Sequence, residues 1–234
     1  MANENQNIIG AGQDTARRAP KKYKIVYADP PWNFGNRMYS SNKIDHHRSI
    51  TRAYSVMKTE DICALPIRSI CENDAVCFMW VADAFIPDAI EVFKAWGFKY
   101  KTVAFVWLKK EKTGKQTCYM GQWTCKNMEL VLLGTRGKMT QHLVSRKVRQ
   151  LQEAMRERTI HSRKPNLIRE KIVEMFGDIP RIELFARQRV EGWDAWGNEI
   201  EESPVLGEES PAQDTKEICH KKLDILINRK VIDK

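Results

Sequence analysis

The sequence predicts an α/β protein with a mostly parallel sheet flanked by helices. Apolar runs of strand length alternate with stretches of helical period, and glycines and prolines punctuate the boundaries. The first apolar run, Lys24 to Ala28, reads as a buried strand in which Ile25, Val26 and Tyr27 suit a pleated surface. Asp29 stands at its carboxyl end, where open α/β sheets keep their ligand sites. Pro30 and Pro31 then fix φ and remove two backbone donors, so neither a ladder nor a helix continues.

The other elements follow in order. Residues 1–21 read as a flexible basic arm. "GNRMYSSNKIDHHRSITRAYSVM" reads as a long polar loop of the kind that acts as a lid or substrate loop. "KTEDICALPIRSICEN" predicts a helix, capped by Thr59 and with Asp61 in its first turn. "DAVCFMWVA" predicts a strand. "DAFIPDAIEVFKAWG" predicts an amphipathic helix that buries Ile86, Ala89, Ile90, Phe93 and Trp96 and stops at Gly97. "YKTVAFVWLKK" is a strand, "EKTGKQTCYMGQWTCKN" a second long loop, and "MELVLLGTRG" a strand closed by a glycine turn. "PNLIREKIVEMFG" predicts a helix opened by Pro165 and ended by Gly177, and "RIELFAR" a final buried strand. An acidic linker over 201–215 leads to a helical tail over 216–234.

A chain of 234 residues, 42% hydrophobic and 29% charged, suits one sizeable domain with a tail. Its net charge of +9 favours polyanionic partners. No apolar run approaches a membrane span and the polar start does not read as a signal peptide, so a cytoplasmic protein without a membrane partner is expected. The six cysteines form no C-x-x-C pair and several lie in apolar patterns, which favours buried, reduced thiols over disulfides or zinc. His46 and His47 lack companion ligands and read as part of a solvated loop, so no metal is expected.

The chemistry concentrates at "DPPW". An exocyclic amine on a nucleobase is a poor nucleophile, because its lone pair is delocalised into the ring. A carboxylate and a backbone carbonyl that accept its two N–H bonds draw the nitrogen toward tetrahedral geometry. Asp29 and the Pro30 carbonyl suit that task, with Pro31 stiffening the turn. Trp32 offers a ring on which a base swung out of its strand would stack, an interaction worth ~1–3 kcal/mol. The basic stretch that includes Arg146, Lys147, Arg149, Arg156, Arg158, Arg163 and Lys164 reads either as a phosphate-tracking groove or as a solvated face. Neither a P-loop nor a G-x-S-x-G motif occurs.

"DPPW", "SRKP…IELFAR" and "GWDAWGNE" together resemble the adenine N(6)-methyltransferase family, which includes the catalytic subunit of the eukaryotic mRNA adenosine methyltransferase and bacterial and phage relatives. The resemblance spans about 22–200 and implies a Rossmann-like methyltransferase domain over those residues, with S-adenosylmethionine as methyl donor. It also implies the permuted, beta-class order, with the catalytic motif first and the cofactor strand late. By motif, Asp29 is expected to bind both the target amine and the donor's methionine amine, and Tyr54 to lie near the active site. Phe185, Arg187 and Arg189 are expected at the donor's ribose and carboxylate region, and Asn198 and Glu199 at its ribose hydroxyls and adenine edge. The chain departs from the mRNA enzyme at Arg189, which stands in place of a histidine. It departs again at Met128, in place of a carboxylate-binding lysine whose role then falls to Lys126 or another basic residue.

The resemblance implies methylation of the adenine 6-amino group in nucleic acid, DNA preferred over RNA, by a bacterial or phage protein acting alone or in a homodimer or heterodimer. RNA methylation, an inactive nucleic-acid-binding partner, and methylation of a small amine or protein side chain remain the competing readings at this stage.

Overall fold

The computed structural model describes residues 21–33, 56–121, 123–157 and 163–200. Tyr54, His46, His47, Arg158, the linker and the tail lie outside them, as does most of the basic arm.

Among the described residues, seven strands form one sheet in the order β5-β3-β4-β2-β1-β6-β7. β1 (Tyr23–Ala28) occupies a central position, parallel to β2 (Cys71–Val81) on one side and to β6 (Arg181–Leu184) on the other. β7 (Asp194–Trp196) adds in parallel outside β6, and β5 (Leu151–Met155) adds in parallel to β3 (Lys99–Lys110) at the opposite edge. β4 (Met128–Arg136) runs antiparallel to both of its neighbours, β2 and β3. The sheet is therefore mixed but mostly parallel, as the alternation of strands and helices in the sequence predicts.

Both faces of the central strands are covered, which is why β1 and β2 read as near-continuous apolar runs. Val26, Ala28, Cys77, Met79 and Val81 point to one core, closed by Ile62 of α1 (Thr59–Cys63), Ile67 of α2 (Ile67–Ile70) and Ala89, Val92 and Phe93 of α3 (Ile86–Ala95). Ile25, Tyr27, Val76, Phe78 and Trp80 point to the other, closed by Ile168, Ile172 and Phe176 of α4 (Leu167–Phe176). Trp96 belongs to the core as expected, fully buried with its Nε1 donating to the Ile62 carbonyl at 2.9 Å. Among the described residues no helix is long and apolar enough to cross a membrane.

Several local expectations are corrected. The helix predicted from Lys58 onward is broken: Pro66 is the N-cap of α2, and the chain is already in β2 at Cys71. Pro66 removes a backbone donor where a continuous helix would need one. Thr59 does not cap α1; Lys58 holds the N-cap position and the Thr59 hydroxyl donates to Asp88 Oδ1 at 2.8 Å, tying α1 to α3. Residues 111–127, expected as a loop, form a paired arm, with bridges Lys110↔Gln116 and Tyr119↔Lys126. Cys71 and Cys77 are buried, but Cys118 and Cys125 are exposed on that arm and hydrogen-bonded to each other.

Candidate active site

Asp29 follows the last residue of β1, and its backbone N–H points to the Leu184 carbonyl of β6 at 3.4 Å. The turn behind it is closed on itself. Trp32 N–H donates to the Pro30 carbonyl and Met57 N–H to the Pro31 carbonyl, each at 2.8 Å. The Pro30 oxygen is thus partly engaged by the chain, and only its second lone pair is available to a target amine.

The Asp29 side chain, 27% exposed, meets Lys164, whose Nζ lies 3.1 Å from Asp29 Oδ1 and 3.2 Å from Glu129 Oε2. Lys109 Nζ bonds the other Glu129 oxygen at 2.5 Å. Lys164 Nζ also lies 5.4 Å from the Trp80 ring centroid. Two carboxylates and two ammonium groups thus share one site, in charge balance. Burial pushes the Asp29 carboxyl up, with Lys164 opposing and Glu129 reinforcing the rise. Burial also works to raise Glu129, but Lys164 and Lys109 outweigh it and hold that carboxyl below its usual range. Burial disfavours the Lys164 charge, yet Asp29 and Glu129 dominate and hold its pKa above the ordinary lysine value. Of the two carboxyls, Asp29 is the one whose proton affinity is raised.

Behind this cluster sits a second buried pair. Arg169 of α4 donates to both oxygens of Glu183 on β6, at 2.7 and 2.5 Å, and its guanidinium lies 5.4 Å from the Tyr27 ring.

The late motifs converge on the same strand ends. Phe185, immediately after β6, has φ 60°, which a non-glycine residue adopts at a cost and which recurs at functional sites. Its ring packs edge-on against Trp196 of β7, with centroids 5.5 Å apart. Ala186 N–H donates to the Trp196 carbonyl at 2.9 Å. A Cβ on Gly197 would lie 2.2 Å from the Ala186 carbonyl oxygen, so only glycine lets the two segments approach this closely. That approach sets Glu199 3.7 Å from Arg187 Nε and places Asn198 between them in sequence, exposed. Arg189 is exposed farther along the same segment.

Two expectations fail here. Trp32 is not an open stacking surface: it is 4% exposed, stacked on Phe85 at 5.7 Å, and its Nε1 donates to the Trp80 carbonyl at 3.1 Å. Lys164 belongs to the Asp29 cluster instead of a phosphate groove. Of the basic residues open to the role of the missing lysine, Lys126 pairs with Asp83, and Lys164 is the one that stands beside Asp29. The signal for Lys164 was available in "SRKP", but strand-end geometry was needed to bring it to Asp29. Glu129 was missed outright, because it looks like an ordinary polar residue at the start of an apolar strand.

The basic stretch is divided as well. Arg156 and Arg163 follow β5 toward the site end; Arg156 stacks on Tyr119 at 5.1 Å, and Arg163 bonds Gln188 at 2.9 Å and Glu157 at 3.1 Å. Arg146, Lys147 and Arg149 precede β5, beside a segment whose Val144 N–H donates to the Met175 carbonyl at the end of α4. They lie toward the opposite end of the strands and do not join Asp29.

A model of the MT-A70 family matches residues 23–199. The chain is 35% identical over 196 residues to the type II methyltransferase M.MunI of a Mycoplasma species, covering 79% of this chain and 81% of that protein. It is 27% identical over 217 residues to the N6-methyladenosine RNA methyltransferase MTA1 of Pyricularia oryzae, covering 84% of this chain and 53% of that one. It is 24% identical over 184 residues to an N(6)-adenosine-methyltransferase MT-A70-like protein of Drosophila melanogaster, of which it spans 27%.

Proposed function

The chain belongs to the MT-A70 family of S-adenosylmethionine-dependent adenine methyltransferases, and on that premise we propose that it methylates the 6-amino group of adenine in nucleic acid, DNA in preference to RNA. The observation that carries the reading is the Asp29 cluster, a partly open carboxylate at the strand ends held by Lys164 at 3.1 Å. The greater likeness to the type II methyltransferase, 35% identical against 27% for the relative named for RNA, favours DNA.

The chemistry of the donor set fits S-adenosylmethionine. Its methionine end is a zwitterion, and Asp29 and Lys164 present the complementary pair of charges, with Arg187 as a second cation. Glu199, brought beside Arg187 by the Gly197 approach, and Asn198 next to it in sequence would take its ribose hydroxyls and adenine edge. When bound, S-adenosylmethionine supplies a methyl group made electrophilic by a sulfonium. This chain's own residues prepare the other partner. Asp29 and the free lone pair of the Pro30 carbonyl accept the two amine N–H bonds and draw its nitrogen toward tetrahedral geometry. As positive charge develops on that nitrogen, the Asp29 carboxylate stabilises it and can accept its proton at an oxygen. Lys164 keeps the carboxylate oriented and ionised.

Incubation with labelled donor on DNA and RNA in parallel, followed by nucleoside mass spectrometry, tests the reaction. N6-methyladenine formed faster on DNA is the expected result, and methylation of neither substrate removes the enzyme reading. Asp29→Ala should lower the rate ~100-fold to 1,000-fold, the usual cost of one preorganised electrostatic partner. Nucleic-acid affinity should hold or rise, since a negative charge leaves the site. An unchanged rate would refute the role given to Asp29.

A further inference from the structure

Among the described residues, the most exposed large apolar side chains are Met120 and Trp123, each 92% exposed, on the arm of residues 111–127 between β3 and β4. All other tryptophans are buried or half-buried. Two fully exposed apolar groups on one tight turn need a reason.

The arm is built to hold them out. Tyr119 and Lys126 exchange reciprocal backbone hydrogen bonds at 2.9 and 2.7 Å, and a Cβ on Gly121 would lie 2.3 Å from the Thr124 carbonyl oxygen. The root is fixed to the rim of the active site. Lys126 pairs with Asp83 at the end of β2, and Lys109 lies between the Tyr119 ring, 5.9 Å away, and Glu129 of the Asp29 cluster. Arg156 stacks against the same Tyr119 ring, 5.1 Å from its centroid.

Two occupants compete for the tip, a protein and a nucleic acid. A stable protein interface takes ~800 Å² from each partner. Two side chains of this size supply roughly half of that, on the scale of buried aromatics. The charge of the arm favours the other occupant: Lys112 and Lys115 stand against the single acid Glu111, while the third lysine of the arm, Lys126, is paired with Asp83 at the root. Aromatic rings interleaved with cations are the surface that unstacked bases and phosphates fit.

We propose that this arm is a nucleic-acid-engaging element, in which Trp123, supported by Met120, stacks on a base left exposed when the target adenine leaves its stack, while Lys112 and Lys115 face the phosphates. The proposal rests on the nucleic-acid reading above. It separates two tasks: Asp29 receives the target base, and the arm holds the strand that delivers it. Buried Trp32 cannot do the second.

The test uses the full chain with mixed-sequence single-stranded and duplex oligonucleotides, read by anisotropy and by tryptophan emission. Trp123→Ala should weaken oligonucleotide binding about ten-fold, as loss of one base–aromatic stack does. Trp123→Phe should keep most of it, and wild-type emission should be quenched on binding where that of the alanine variant is not. Donor binding, followed by calorimetry, should not move in either variant. Unchanged oligonucleotide affinity in Trp123→Ala would overturn the proposal. So would an alanine variant that turns a dimer into a monomer in sedimentation, which makes the tip a contact between copies. Wild-type protein that binds donor but neither DNA nor RNA overturns the nucleic-acid reading itself, and the arm's assignment with it.

Discussion

Lys164 lies 3.1 Å from one carboxylate and 3.2 Å from another, and beyond the rise caused by burial it and Glu129 tune the proton affinity of Asp29 in opposite senses. In the proposed reaction Asp29 acts as a carboxylate, so activity should fall as pH drops through its raised pKa. Lys164 opposes that rise and Glu129 reinforces it, so their removal should act with opposite sign. Lys164→Met should move the acid limb of kcat/KM to higher pH, and Glu129→Gln should move it lower; a pH–rate series checks both. A shift of the two variants in the same direction would show that Asp29 does not own the limb. Lys164→Arg should retain more of the wild-type profile than Lys164→Met, because a cation stays beside both carboxylates. Trp32 makes a contrasting case. Its ring is packed under Phe85, so Trp32→Ala should cost about 3–5 kcal/mol of stability, as large core truncations do, visible in denaturant unfolding. A loss of base binding without loss of stability would restore the stacking role that its burial argues against.

At the scale of elements, strands with a continuous apolar run were legible, because burial on both faces favours that composition in β1 and in the second half of β2. The short edge strands were not. β5 is Leu151–Met155, with one buried residue, and β7 is Asp194–Trp196; neither carries enough apolar period to stand out from a basic or turn-rich stretch. The antiparallel course of β4 was equally hidden, because it follows from an arm replacing a crossover helix, and no local propensity records that. The "DPPW" acid and the late "FAR" and "GNE" residues were legible as motifs, whereas Glu129 and the place of Lys164 emerged only when β1, β4 and the segment before α4 met in space. Arg169 and Glu183 show how firmly those strand ends are backed. Their side chains are 10% and 7% exposed, so Arg169→Met leaves a buried carboxylate without its partner. Unfolding stability should drop by about 3–5 kcal/mol, the usual cost of breaking such a pair. The double change Arg169→Met with Glu183→Gln should recover part of that loss, which denaturant midpoints for the three proteins will show.

The whole molecule is polar in its function: one end of the sheet carries the Asp29 cluster, the Arg187–Glu199 segment and the exposed arm, and the opposite end carries turns such as that of Asp74 with Lys138 and Gln141. A net charge of +9 does not say which end meets a polyanion, and the basic stretch is divided between the two ends. Arg156 and Arg163 lie toward the Asp29 end, on either side of Glu157 in sequence. Arg146, Lys147 and Arg149 lie before β5, away from it. If nucleic acid is held at the catalytic end, only the first set displaces counterions on binding. Each lost phosphate contact should reduce the salt slope on duplex DNA by about 0.9. The paired change Arg156→Ala with Arg163→Ala should therefore flatten the slope by up to about twice that amount. The triple change Arg146→Ala, Lys147→Ala and Arg149→Ala should leave it nearly as it was. Binding measured at several salt concentrations decides the matter, and the reverse pattern would place the polyanion along the opposite end, out of reach of Asp29.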